Sequence, residues 1–385
     1  MKRVSALLLT CTLGLSALSG CSASAAPQPL SAQPVTISEE EMMRYDLETP
    51  AVWSALSEFG LDLLKTARQE GEGTLLSPLS AALALSMAAN GADGETLDQF
   101  REVLGDGASL EALNVSCSAL MKLYGGLGGS TECSIANSLW TDPEGRMQED
   151  FVGRCSGIFD AQVFQEDLSA PVIVPALNSW VSDHTAGMIP QIIQRPFGEP
   201  LDFLQHFSRS LTYLQSGSDE GVLLPYDDGR LAFFALMPRQ SSGVPDFERW
   251  LSSLTGEGLS ALLSGREETF FLRLSLPKFE QEWSGELKDA LAALGLTDAF
   301  DPDLADFSLL GDDPRGYYLS QVIHAARIEV NEEGTEAAAA TVVAAASGAA
   351  PPQEGVTLIF DRPFLYGIVD LQNGVPLFLG TFEGL

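Results

Sequence analysis

Positive charge and histidine are both scarce in the chain. Its 385 residues carry 21 Lys and Arg against 53 Asp and Glu, a formal charge of -32. A nucleic-acid backbone would be repelled, so no nucleic-acid partner is expected, and the charge reads as the solvated acidic surface of an exported protein. Only three histidines, His184, His206 and His324, are available for acid–base work. HExxH, GxSxG and GxxxxGKS are all absent, and GGLGGS at 125–130 lacks the spacing and the preceding strand of a dinucleotide loop. These absences disfavour an enzyme, with paired carboxylates the arrangement left open in so acidic a sequence, and the chain reads as no enzyme, with no cofactor and no metal. The five cysteines show no CxxC and no Cys/His ligand spacing. Setting aside Cys11 and Cys21 near the N-terminus leaves Cys117, Cys133 and Cys155, an odd number. They read as buried free thiols, with one disulfide plus one free thiol as the other arrangement.

What is present begins with MKRVSALLLTCTLGLSALSG, where Lys2 and Arg3 precede an apolar run too short to span a bilayer as a permanent helix. Residues 1–20 therefore read as a secretory signal. Its end, Leu18, Ser19, Gly20 and Cys21, resembles the lipobox of bacterial lipoproteins, in which cleavage leaves the cysteine as a lipid-modified N-terminus; a plain signal cut elsewhere is the other reading. The lipobox makes Cys21 a membrane anchor and the protein an exported, cell-surface lipoprotein facing the extracellular space. Residues 21–50, opening SASAAPQPLSAQP after the cysteine and turning acidic, read as a flexible tether. Residues 51–385 read as one domain; 45% hydrophobic and 19% charged residues are ordinary for a folded chain.

Along that domain the periodicity is helical first and β later. AVWSALSEFGLDLLKTARQ sets Trp53, Leu56, Phe59, Leu63 and Leu64 on one face. SPLSAALALSMAAN is apolar all round, which predicts a buried helix with Pro78 in its first turn. TLDQFREVLG predicts a helix closed by Gly105. CSIANSLWTD reads as a buried strand, QEDFVGRCSGIFDAQVFQED as helix then strand, and PALNSWVSDHTAGMI as a helix. After Leu223 strands dominate: GVLLPYDDGRLAFFALMP folds about a DDG turn, and PFLYGIVDLQNGVPLFLGTF about QNG. The expected class is α+β, with helices packed on antiparallel sheets.

Between two β-like segments lies NEEGTEAAAATVVAAASGAAPPQEG. As a strand, NEEGTEAAAAT would put Thr335, Ala337, Ala339 and Thr341 on one face and Glu336, Ala338 and Ala340 on the other. Small, mostly uncharged side chains let such a segment slip between existing strands, and its weak intrinsic β preference makes it a strand only once placed in a sheet. In this order, SPLSAALALSMAANGADGET, SIANSLW, LNSWVSDHTAGMI, LPKFEQEWSGELKDALAALGLTDAFDPDLADFS, VIHAARIEVNEEGTEAAAAT and FDRPFLYGIVD resemble the serpin family. Its members trap proteases by inserting a cleaved reactive loop into a sheet.

The resemblance implies a monomeric inhibitor of a serine protease. Gly334 would be the hinge, with Glu332, Glu333, Thr335, Glu336, Ala337, Ala338, Ala339, Ala340 and Thr341 around it. Family spacing sets the scissile bond fourteen residues past Gly334, between Gly348 and Ala349, with Ser347 and Ala346 inside the tolerance of that register. Small residues there suit an elastase-like target rather than a trypsin-like one, which wants Lys or Arg. Ser77, Ser80 and His324 match the polar shutter cluster beneath the point where the sheet opens, and Lys278 and Glu332 match an ion pair near the loop top. One departure stands out: between MIPQII and GVLLPYDDG the family has a longer passage with a central sheet strand, and QRPFGEPLDFLQHFSRSLTYLQSGSDE contains no such strand. A non-inhibitory serpin-fold protein, cleaved as a substrate or acting as a binding module, is the alternative this favours.

Overall fold

The computed structural model describes residues 4–7, 12–15, 27–46, 48–69, 71–125, 131–141, 143, 145–166, 173–184, 203–208, 212–226, 228–239, 246–264, 267–268, 272–313, 316–330 and 356–383. The first half holds β1 (Val4–Leu7), β2 (Thr12–Leu15), α1 (Glu39–Tyr45), α2 (Thr49–Ala67), β3 (Thr74–Leu76), α3 (Pro78–Ala89), α4 (Gly94–Gly105), α5 (Leu110–Gly125), β4 (Thr131–Ser134), β5 (Asn137–Thr141), α6 (Glu149–Phe159), β6 (Ala161–Gln165) and α7 (Ile173–His184). The second half is mostly strand: β7 (Phe203–Ser208), β8 (Thr212–Ser216), β9 (Asp219–Pro225), β10 (Leu231–Pro238), α8 (Phe247–Ser253), α9 (Gly256–Ser264), β11 (Glu267–Glu268), β12 (Leu272–Pro277), β13 (Phe279–Glu286), α10 (Lys288–Ala293), β14 (Leu319–Val330), β15 (Val356–Ile359), β16 (Phe364–Asp370) and β17 (Pro376–Phe382). Helices and short strands alternate in the first half, and strands dominate the second, in keeping with the change of period from 3.6 to 2 along the sequence.

Three sheets result. The main sheet runs β4-β1-β14-β2-β5-β6, with β13 on the other side of β14. The second runs β11-β8-β9-β10-β16-β17-β3, and the third β15-β12-β7. FLYGIVD and PLFLGTF are apolar on both faces, so β16 and β17 occupy the interior of the second sheet and every residue of both is buried. All twelve residues of α3 are buried as well, packed against α2, β17 and β5. An apolar stripe all the way round a helix leaves it no solvent face.

Two expectations need correction. Gly105 does not cap α4. It is the last helical residue; Asp106 takes the left-handed conformation at φ 50° and its amide returns to the Glu102 carbonyl, with Gly107 reaching Arg101. An aspartate tolerates that conformation better than most residues. Nor is 21–50 a free tether over the part described. Residues 27–37 lie extended against α6 and β6, where the Leu30 amide donates to Val163 O and the Val35 amide to Gly153 O. Ser38 and Glu41 then form a capping box that opens α1. Cys117 and Cys155 are buried free thiols; burial pushes the Cys117 thiol up to about 11.

Candidate functional site

The chain leaves β3 at Ser77 and turns directly into α3, so this serine caps the helix, its Oγ accepting from the Ser80 amide at 3.3 Å. The same residue reaches two other elements. Its backbone amide donates to His324 Nε2 on β14 at 2.9 Å, and its hydroxyl donates to the Leu377 carbonyl on β17 at 2.9 Å. The Ser77 and Ser80 hydroxyls lie 3.1 Å apart. Because Nε2 accepts, His324 is a neutral imidazole protonated on Nδ1. Complete burial favours that form and lowers its ionisation to about 3. Trp283 on β13 stands beside it, ring centroids 6.1 Å apart. A histidine so buried and held neutral is suited to joining elements and is out of reach of any substrate. The structure thus brings Ser77, Ser80 and His324 together. The Leu377 carbonyl completes the cluster; as a backbone group it has no side-chain signature in the sequence.

His324 lies beside a slot in the main sheet. β1 and β2 follow one another through a space one strand wide, both antiparallel to β14, with Leu7 opposite Arg327 and Thr12 opposite Ile323. On the other side they run parallel to β4 and β5, pairing Leu7 with Ser134 and Leu13 with Leu139. Among the described residues, no strand from between α7 and β8 enters this sheet, and β7 pairs with β12 in the third. The slot is therefore bordered by β14 and β4/β5 directly, and residues read as the export signal fill it.

α7 lies across that slot. Trp180 and Val181 from the helix share a small apolar cluster with Trp140 on β5, Phe164 on β6 and Ala325 on β14, which are strands on both sides of the gap. Trp140 and Phe164 stack with centroids 4.1 Å apart, and Trp180 Nε1 donates to Gln162 Oε1 at 2.7 Å. Any strand passing through the slot runs beneath this helix.

β14 ends at Val330 inside the main sheet, and β15 begins at Val356 on the margin of the third sheet. Residues 331–355 join the two. A chain leaving Val330 and folding back beside β14 would run in the direction of β1 and β2, antiparallel to β14. The expected hinge from Glu332 to Thr341, the bond between Gly348 and Ala349, and Ala346 and Ser347 lie outside the described residues, as does Cys21. Lys278 stands just before Phe279, whose register partner is Val330; its expected partner Glu332 lies outside the described residues. Among those residues, no group of His, Cys, Asp and Glu could hold a metal ion, and no helix is long and apolar enough to cross a membrane.

The family model described as Serpin (serine protease inhibitor) matches residues 54–204 and 204–384. Serpin-ZXA of Oryza sativa subsp. japonica is 30% identical over 80% of this chain and 89% of its own. Plasminogen activator inhibitor 1 of Neovison vison is 27% identical over 84% and 90%. Among solved structures, the thermophilic serpin tengpin in its native state superposes with a TM-score of 0.75 at 29% identity, covering 94% of this chain and 98% of that one.

Proposed function

The chain belongs to the serpin family, the serine protease inhibitors, and from that premise we propose that it traps an elastase-like serine protease at the bond between Gly348 and Ala349. The protease serine attacks the Gly348 carbonyl and expels the Ala349 amine, leaving an ester between enzyme and loop. Insertion of the freed loop then outruns hydrolysis of that ester, drawing on strain held by the native fold. Small residues from Ala345 to Ala349 suit a small-residue pocket.

The observation that carries this reading is the slot. Among the described residues β14 faces β4/β5 across a single strand's width, filled by β1 and β2, and both run there in the sense an inserting loop would take. Cleavage before Cys21 would release both strands and offer their place to residues 335–341, whose mostly small side chains suit a strand that must pass between others. The polar cluster of Ser77, Ser80 and His324 would then hold the sheet closed until the loop arrives, and lipidation at Cys21 would keep a monomeric inhibitor on the cell surface.

Among the described residues no strand from between α7 and β8 joins the main sheet, which also favours a second reading, a serpin that proteases merely cleave. Incubating the chain that begins at Ser22 with elastase and running a denaturing gel decides between them. A band of summed mass is expected; clean cleavage with no such band would sink the inhibitor and leave the substrate.

A further inference from the structure

Residues 27–37, PQPLSAQPVTI, have the composition of a linker but behave as part of the body. The Val35 amide donates to Gly153 O in α6 at 2.8 Å, and the Leu30 amide to Val163 O on β6, the outer strand of the main sheet, at 2.7 Å. Leu30, Ala32 and Ile37 pack half-buried against the core. Two glycines one helical turn apart make room: a Cβ on Gly153 would sit 2.4 Å from the Gln33 carbonyl oxygen, and one on Gly157 2.2 Å from that of Val35. Any side chain at either position would lift the segment off the helix. α1 then continues the attachment against α5.

Only residues 22–26 separate Pro27 from Cys21. Those six steps (27 − 21 = 6) span at most ~20 Å, whereas a free tether running from Cys21 to Thr49 would extend to ~95 Å. The point of attachment also has a direction. Val163 is level with Leu139, Leu13 and Val322 across the main sheet, near the start of β14 and eight residues short of Val330, or ~27 Å along the strand.

We propose that this docked segment turns the N-terminal anchor into a short, oriented mount: the body rides against lipid headgroups with its α6–β6 edge nearest the bilayer, and the end of the main sheet from which the loop departs is held away from it. The proposal rests on the reading of Cys21 as lipidated. Its consequence is that a soluble protease meets the loop on the side away from the membrane.

The test uses the exported, lipidated chain in vesicles of phosphatidylethanolamine and phosphatidylglycerol with acceptor dye on the headgroups. A donor dye is attached at an Asp150→Cys substitution on the exposed face of α6, in a Cys133→Ser background. Energy transfer should be several-fold higher than in a version carrying a long Gly/Ser spacer between Ala26 and Pro27. Gly153→Leu with Gly157→Leu should bring it down toward the spacer value. Val35→Pro, which removes the amide donor without adding bulk to α6, should do the same in part if the double variant fails to fold. Equal transfer with and without the spacer, on protein whose N-terminal peptide mass shows lipid on Cys21, overturns the mount and leaves the anchor standing. An unmodified Cys21 overturns the anchor and the mount together. Amide exchange on the chain beginning at Ser22 then reports docking alone: slow Leu30 and Val35 amides support it, and fast ones remove it.

Discussion

His324 makes the interior of the main sheet sensitive to protons. Folded, its imidazole ionises only near pH about 3, against roughly 6.5 in an unfolded chain. Above 6.5 both states are neutral and stability does not change with pH through this group. As pH falls through 6.5 the unfolded chain takes the proton first, so stability drops by about 1.4 kcal/mol per pH unit until the folded value is reached. Denaturant titrations at pH 7.5 and 5.5 should show this one-proton loss in the natural chain and its absence in His324→Gln; identical losses would mean that His324 is not buried neutral. Ser77→Ala strips the Leu377 carbonyl of its donor and α3 of its cap, and is expected to cost about 1–3 kcal/mol. Arg68→Ala should cost more. Its guanidinium is buried between Glu248 and Glu383, 2.5 Å from each. Removing it leaves Glu383, whose side chain is only 6% exposed, without its counter-charge and held by the Gly71 amide, and breaking a buried ion pair on one side costs about 3–5 kcal/mol. Chemical denaturation ranks the two variants, and a smaller loss for Arg68→Ala than for Ser77→Ala would count against the buried network.

Among the elements, those with strong periodicity were legible in the sequence. α3 is apolar on every side and β14, β16 and β17 alternate or saturate with apolar residues, so pattern alone locates them. Ser77, Ser80 and His324 were legible through family resemblance, whereas no local pattern joins residues that far apart in sequence. The docked segment 27–37 was not legible. Its prolines, serines and alanines look unstructured, and what binds it is space left by Gly153 and Gly157 in a helix more than a hundred residues later. Nor was the occupancy of the slot, because an apolar run near the N-terminus carries the same signature for export as for a strand. That occupancy predicts a difference between two chains. Retaining residues 1–20 should block trapping, since β1 and β2 already pair with β14, whereas the chain starting at Ser22 should form the summed-mass band with elastase. Equal yields of that band would show that the N-terminal strands leave the slot freely.

For the molecule as a whole, loop insertion as proposed would add one strand at the centre of the main sheet, bonded to a neighbour on both sides. Cleavage by elastase should therefore raise the melting temperature markedly, and scanning calorimetry before and after digestion measures it; an unchanged value would mean that the cut loop stays outside. The second sheet decides what becomes of the cut product. Beyond residue 355 the chain contributes β15, β16 and β17; β16 is bonded to β10 and β17 to β3, and Glu383 is clamped by Arg68. One broken peptide bond between 331 and 355 would thus create a heterodimer whose interface is the hydrophobic core of the fold. Its smaller partner has no route out short of global unfolding, so a size-exclusion column would register no event at all.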